Sequence, residues 1–205
     1  MPVTAVPNYL EPYTAAAKRY GAGFSSLLWA SPRTQRARFD ALARLGDFQG
    51  RSVLDVGCGR ADLVDYLCQN KLTPHRYMGI EAVTQLADAA RAKPHDFAKI
   101  LEADFIIDPS AMNVDAQLVV FSGSLNTLDD RTFYTSLRCG FAAARSAAIF
   151  NFLSSPLLAG QSYLHWRHPA DVLAFARTLS SDVQALEDYL QGDCTIAIWR
   201  REELH

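Results

Sequence analysis

From residue 52 onward the hydrophobic positions fall into short unbroken runs, separated by stretches in which they recur every three or four residues. The run "SVLDV" (52–56) is β-branched and apolar and stops at Gly57, which predicts a buried strand. Residues 60–70 follow with Leu63, Val64 and Leu67 on one helical face. "HRYMGIE" (75–81) predicts a second strand ending in a carboxylate, and "VTQLADAARAK" (83–93) a second helix stopped before Pro94. "FAKILEAD" (97–104) and "AQLVVFSGS" (116–124) predict the third and fourth strands. "DRTFYTSLRCGFAAAR" (130–145) reads as a helix and "SAAIFNFLS" (146–154) as the fifth strand.

Strands alternating with helices predict a parallel sheet covered on both faces. The C-terminal end breaks that alternation. After a helix at "PADVLAFARTLS" (169–180), with Pro169 suited to its first turn, "DVQALEDYL" and "CTIAIWR" follow almost back to back across Gln191, Gly192 and Asp193. Two strands joined so tightly must be antiparallel, because a parallel return needs a crossover. The expected sheet is therefore parallel, with one reversed strand near its end.

Composition narrows the class. A chain of 205 residues with 49% hydrophobic and 20% charged residues suits one globular domain, expected over 1–205 with an N-terminal helical cap (1–50) on a core (51–205). A net charge of −2 gives no global reason to expect nucleic acid. No apolar run approaches a bilayer span, and the N-terminus lacks the basic-then-apolar order of a signal peptide. Cys58, Cys68, Cys139 and Cys194 are scattered without metal-binding spacing, so no metal is expected. Reduced thiols in the cytoplasm are the simplest reading.

The chemistry concentrates at "LDVGCGRADL" (54–63). Glycines after a strand let the chain turn sharply and bring a ligand against bare backbone, while the next helix offers free N–H groups. The dinucleotide pattern G-x-G-x-x-G would need glycine at 62; the residue is Asp62. That side chain crowds the helix–strand contact and places negative charge where a pyrophosphate would sit, which disfavours an NAD-type ligand. Asp55, at the end of an apolar strand, is costly to bury without a partner, and a ligand with a positive centre would supply one. Glu81 ends the second strand 24 positions after Gly57, where an acid accepts from ribose hydroxyls.

"LDVGCGRADL", "GIEA", "EADF" and "VVFSGSLN", in that order, resemble the motifs of the class I S-adenosylmethionine-dependent methyltransferases over roughly residues 50–200. The resemblance implies an α/β fold: a Rossmann-like three-layer sandwich whose mostly parallel seven-stranded sheet has one antiparallel strand near the C-terminus. It implies S-adenosylmethionine as cofactor. Asp55, Gly57 and Gly59 would hold the methionine end, Glu81 both ribose hydroxyls, and Ala82 the adenine. Asp104 would accept from the adenine amino group with Phe105 beside the ring, and Ser122 and Gly123 would face the methyl end. Ala61 departs from the glycine found there in many members. Cys58 reads as a buried filler of the turn.

"FSGSLN" is not the N/D-P-P-Y/F pattern of methyltransferases acting on planar amide or amino nitrogens. No catalytic triad is present or required, since alignment of donor and acceptor is much of what the protein must supply. Two segments could cover the pocket. Residues 18–44 hold six basic residues against one acid, Asp40, and "YGAGFSSLLWASPRTQRARFDAL" (20–42) resembles the N-terminal segment of some bacterial small-molecule members. If 33–45 is a helix, Arg36, Asp40 and Arg44 form a solvated ladder on one face. Arg38 instead shares a side with Leu42 and Leu45, so it needs an anionic partner, either a structural carboxylate or one on the cofactor or substrate. The second segment, "SSPLLAGQSYLHWRHP" (154–169), offers Tyr163 and Trp166 as walls and His165 as a candidate base, with His168 expected to serve only the start of the next helix. The expected function is methyl transfer to a small-molecule acceptor. A non-catalytic cofactor binder on the same fold is the main alternative. Protein or nucleic-acid methylation is the third reading; overall charge and the lack of a recognition module argue against it.

Overall fold

A computed structural model describes residues 8–201. Residues 1–7 and 202–205, including the first part of the expected cap, lie outside the described residues. Seven strands form one sheet in the order β3-β2-β1-β4-β5-β7-β6. They are β1 (Ser52–Val56), β2 (Arg76–Glu81), β3 (Ala98–Glu102), β4 (Ala116–Phe121), β5 (Ala144–Leu153), β6 (Val183–Leu186) and β7 (Asp193–Trp199). β1 to β5 pair in parallel, and β7 runs antiparallel to both β5 and β6, so β7 is the one reversed strand. This is the largely parallel, two-sided sheet expected from the pattern and the Rossmann-like α/β sandwich that the family resemblance implies.

Side chains alternate across each strand, which is why the central strands read as unbroken apolar runs: both faces are covered. Leu54, Val56, Val119, Phe121, Phe150 and Phe152 pack on one face with Phe133 and Leu137 of α5 (Asp130–Ala143) and Val172 and Ala176 of α6 (Pro169–Leu179). On that face Phe133 meets Phe150 and Phe152 edge-on at 6.3 and 6.0 Å between ring centres. Val53, Leu118, Val120 and Ile149 face the other layer, formed by Phe39 and Leu42 of α2 (Pro32–Leu45) and by Leu63, Val64 and Leu67 of α3 (Asp62–Gln69). The sheet is thus the middle of three layers.

Upstream of β1, α1 (Glu11–Tyr20) and a 3-10 turn (Phe24–Leu27) precede α2. Ala17 of α1 packs on Val83 and on Leu86 of α4 (Thr84–Arg91), which sets α1 over the C-terminal end of β2. Ser31 caps α2 in a reciprocal pair with Thr34.

Several local expectations are corrected. The helix expected at 60–70 begins at Asp62, because Ala61 takes a left-handed backbone at φ 55° and the turn runs that far. α5 ends at Ala143 and passes directly into β5 two residues earlier than expected. β6 stops at Leu186, so the β6–β7 connection is longer than the three residues expected; Asp188 in it forks onto Arg44 at 2.8 and 2.9 Å. That pairing also undoes the expected ladder on α2. Asp40 instead accepts from the Tyr66 hydroxyl at 2.6 Å, and Arg36 lies over the Tyr66 ring. Partners on neighbouring elements fix these side chains better than the i,i+4 spacing does.

Candidate functional site

The C-terminal ends of β1, β2 and β4 open into one cavity of about 810 Å³, roofed by α1, the 24–35 segment and the loop 154–164. Loops at that edge of a parallel sheet are where such folds hold ligands. The cavity brings together Asp55, Gly57, Gly59, Glu81, Ala82, Asp104, Phe105, Ser122 and Gly123, together with Arg38 and Tyr163.

The glycine turn is built from backbone. The N–H groups of Gly57 and Cys58 both donate to the Ile80 carbonyl, at 2.8 and 2.9 Å, tying β1 to β2. Gly57 has φ 72°, and a Cβ there would lie 2.4 Å from Cβ of Ser124. Gly57→Ala is therefore expected to lower stability by roughly 2 kcal/mol, from the left-handed backbone together with the crowding. Urea unfolding measures it, and an unchanged midpoint overturns the assignment. Gly123, at φ 75°, faces the Trp29 ring at 2.9 Å from its would-be Cβ, and its N–H donates to Oδ1 of buried Asn151 at 2.9 Å. Cys58 packs against Gly79 and its thiol is pushed well up by burial, as suits a filler.

Two carboxylates stand beside this turn in different states. Glu81 is buried and accepts from the Gly59 N–H and the Val83 N–H, both at 2.8 Å, so it braces the turn it borders. Each of its oxygens retains a second lone pair for a ligand hydroxyl. Burial raises its carboxyl above the usual range against these two bonds. Asp55 is 2% exposed. Its Oδ2 accepts from the Tyr77 hydroxyl, while its Oδ1 is buried with no partner among the described residues. Burial pushes its carboxyl up to about 7 despite the Tyr77 bond, and the nearby charges of Glu81 and Asp62 add to the effect. An orphaned carboxylate oxygen, a second buried acid and a glycine turn with no room for side chains fit a nucleoside that carries a positive centre.

Asp62 behaves differently from expectation. It pairs with Lys93 at 2.9 Å and Arg60 at 3.1 Å and accepts from Gln35 at 3.1 Å. Burial opposes its ionisation, but Lys93, Gln35 and Arg60 outweigh it and hold the carboxyl below its usual range. Much of its field is therefore neutralised locally, and the negative character of the turn comes mainly from Asp55 and Glu81.

Asp104 accepts from the N–H groups of Ile106 and Ile107 at 2.9 and 3.3 Å, and from the Tyr9 hydroxyl at 2.7 Å. It shapes its own loop and pins the residues ahead of α1, with Phe105 beside it, edge-on to Phe121 at 5.9 Å. Arg38 finds its anion inside the protein: Nε and Nη2 donate to Oδ2 of Asp193 at the start of β7, Nε at 2.7 Å. Tyr189 donates to the other oxygen of Asp193, and the Arg38 guanidinium lies 4.8 Å from the Trp29 ring centre.

Two expected residues are not brought to the cavity. Leu164 lines it, and Arg167 is anchored by the Leu128 carbonyl at 2.6 Å and by the Phe133 ring at 3.9 Å. Between these anchors the chain turns His165 and Trp166 outward, Trp166 to 46% exposure. His168 caps α6, its Nδ1 accepting from the Ala170 N–H at 3.3 Å. Conversely, Tyr9, Tyr13, Trp29 and Asn126 line the cavity without having been singled out. For Tyr13 a signal existed: an aromatic residue two positions after the Glu11 that opens α1, facing the same side as Ala16 and Ala17.

With this geometry the chain can be set beside known proteins. No protein-family model and no curated protein sequence matches it. Solved structures do. Magnesium protoporphyrin IX methyltransferase (ChlM) from Synechocystis PCC 6803, with SAH bound, superposes with a TM-score of 0.65 at 14% identity, over 82% of this chain and 84% of that one. The DhpI complex with SAM and HEP gives 0.68 at 17% identity, over 97% and 100%. The small RNA methyltransferase HEN1 gives 0.68 at 12% identity, over 85% of this chain and 26% of that one. The chain therefore has the fold of the class I S-adenosylmethionine-dependent methyltransferases. Two of these names, a magnesium protoporphyrin IX methyltransferase and a small RNA methyltransferase, point to quite different acceptors, and fold does not choose between them.

Proposed function

We propose that this chain binds S-adenosylmethionine and transfers its methyl group to a small molecule. The reading rests most on one observation: Asp55 and Glu81, at the ends of neighbouring strands, flank a glycine turn that opens into a cavity continuing past the turn to an aromatic and apolar wall. The cofactor, when bound, supplies an electrophilic methyl on a positively charged sulfur. Asp55, with Gly57 and Gly59, would hold its amino-acid end, Glu81 its ribose, and Ala82, Asp104 and Phe105 its adenine. Ser122 and Gly123 would stand at the methyl end. Residues 1–50 would serve as a cap on a 51–205 core within one domain, with α1 excluding water from the site. A volume near the upper part of the range for small-molecule sites supports room for a second ligand beside the cofactor. The enzyme would work in the cytoplasm, where its four cysteines would stay reduced; no helix among the described residues is long and apolar enough to cross a membrane.

Isothermal titration with S-adenosylmethionine and its demethylated product tests the cofactor, and a labelled-methyl assay over metabolite pools tests transfer. Absence of binding overturns the reading; binding without transfer to any pool favours the sensor or scaffold alternative. Glu81→Ala is expected to weaken cofactor binding by about 1.5–3 kcal/mol, roughly 10- to 150-fold, through loss of hydrogen bonds to a charged acceptor. Because Glu81 also braces Gly59 and Val83, the titration is read on protein whose thermal midpoint is known.

A further inference from the structure

Beyond the glycine turn the cavity reaches an apolar wall of Leu153, Leu157, Leu158, Leu164, Leu190 and Trp29, with uncharged polar side chains such as Thr127 and Gln161 among them. Four groups there, Arg38, Asn126, Tyr13 and Tyr163, can donate and have hydrogen-bonding capacity left over among the described residues. Arg38 commits Nε and Nη2 to Asp193 and keeps Nη1. Asn126 accepts from the Leu153 N–H with Oδ1 and keeps its NH2. Tyr13 of α1 and Tyr163 of the loop present phenols to the same cavity. Tyr13 stands among Glu81, Tyr163 and Arg38, and burial followed by the Glu81 charge raises its phenol, so it stays a neutral donor.

All four can donate, and the one carboxylate behind them, Asp193, is already spent on Arg38 and Tyr189. A cationic ligand group would meet the Arg38 charge with no unspent carboxylate on this wall to offset it. A neutral amide would leave donors unmatched, which is costly in an apolar chamber. A dianion would overreach, because Asp193 offsets the charge of Arg38 and Glu81 lies close by. A single carboxylate, acceptor-only and able to take several donors at once, matches what is left. We propose that the acceptor is an apolar monocarboxylate, its carboxylate held by Arg38, Tyr13, Tyr163 and Asn126 and its body by the leucines and Trp29. This rests on the function proposed above and names its substrate class. Such a ligand is already ionised at neutral pH and asks no side chain to act as a base. No histidine or lysine is found among the described residues lining the cavity.

The test is calorimetric titration of the full chain, with and without SAH, using octanoate and 4-phenylbutanoate against octanamide, octylamine and octylphosphonate. The carboxylates are expected to bind at least tenfold more tightly than the other three. Tyr13→Phe and Tyr163→Phe keep the rings, and each is expected to weaken carboxylate binding about five- to tenfold while leaving octanamide unmoved. Arg38→Lys, which retains a charge for Asp193, is expected to abolish the preference in protein that still unfolds cooperatively. Equal affinity for carboxylate and amide, a preference for the amine or phosphonate, no binding of any probe, or a preference unmoved in both phenylalanine variants overturns the proposal. Binding of SAH without carboxylate preference sinks this inference alone. Carboxylate preference in a chain that binds neither SAM nor SAH sinks the methyl-transfer reading instead.

Discussion

Asp193→Ala is expected to cost about 3–5 kcal/mol of folding stability, the range for removing one partner of a buried ion pair. Arg38 is 8% exposed at its side chain, so removing Asp193 leaves a buried cation without its anion. Without Asp193 it keeps only the Trp29 ring and the cavity. The Tyr189 hydroxyl, which donates to Asp193 and accepts from Thr195 at 2.7 Å, loses its acceptor as well. Burial raises the Asp193 carboxyl, against the pull of the Arg38 charge, so the pair itself contributes little beyond its own desolvation. The sharper expectation follows from that. Arg38→Met combined with Asp193→Ala removes both charges, and is expected to recover at least half of the loss seen with Asp193→Ala alone. Urea unfolding of the two variants measures it. A double variant as unstable as the single one would mean that α2 needs the pair for register rather than for charge balance.

That pair also shows where sequence reading stopped. The inward position of Arg38 follows from its sharing a side with Leu42 and Leu45, and all three are buried. Its partner lies 155 residues away, at the start of a strand whose place beside β5 depends on the whole sheet order, and no local pattern carries that information. The strands were legible because burial on both faces writes an unbroken apolar run. The reversal of β7 was legible because a short connection permits nothing else. Glu81 shows a different limit. Its place at the end of β2 follows from the run before it, but its bonds to Gly59 and Val83 need the turn folded back over Ile80. Tyr13 reaches the cavity because Ala17, one turn on, is small enough to dock α1 on Val83 and Leu86, while Tyr9 and Trp29 lie outside regular helix, where no periodicity marks the inward face. His165 and Trp166 carried attractive chemistry in the one-dimensional reading. Their direction is set by Leu164 and Arg167 on either side, contacts that composition does not reveal.

Asp55→Asn is expected to stabilise the cofactor-free protein above neutral pH and to weaken cofactor binding, two effects of opposite sign from one charge. The carboxyl is raised from 3.8 to about 7. Between these values the folded chain holds a proton that the unfolded chain has released. Stability is therefore greatest below about pH 4 for this group and falls as pH rises toward 7. Above that the ionised carboxylate costs roughly 4 kcal/mol. Asparagine keeps an acceptor for the Tyr77 hydroxyl and cannot ionise, but places an unpaired amide N–H where Oδ1 stood, at about 1–3 kcal/mol. The net gain expected at pH 8 is about 1–3 kcal/mol, shrinking to nothing or reversing at pH 5. A ligand with a positive centre favours the ionised form, so wild-type binding of S-adenosylmethionine near pH 7 is expected to release a proton and to tighten between pH 5 and 7. In Asp55→Asn both the proton release and the pH dependence should vanish, with affinity down at least tenfold. Thermal unfolding from pH 5 to 9, with titrations in two buffers of different ionisation enthalpy, reads both effects. A stability difference that does not vary with pH would show that Asp55 is ionised in the folded chain throughout, leaving the turn without the stored electrostatic cost that a cationic ligand would relieve.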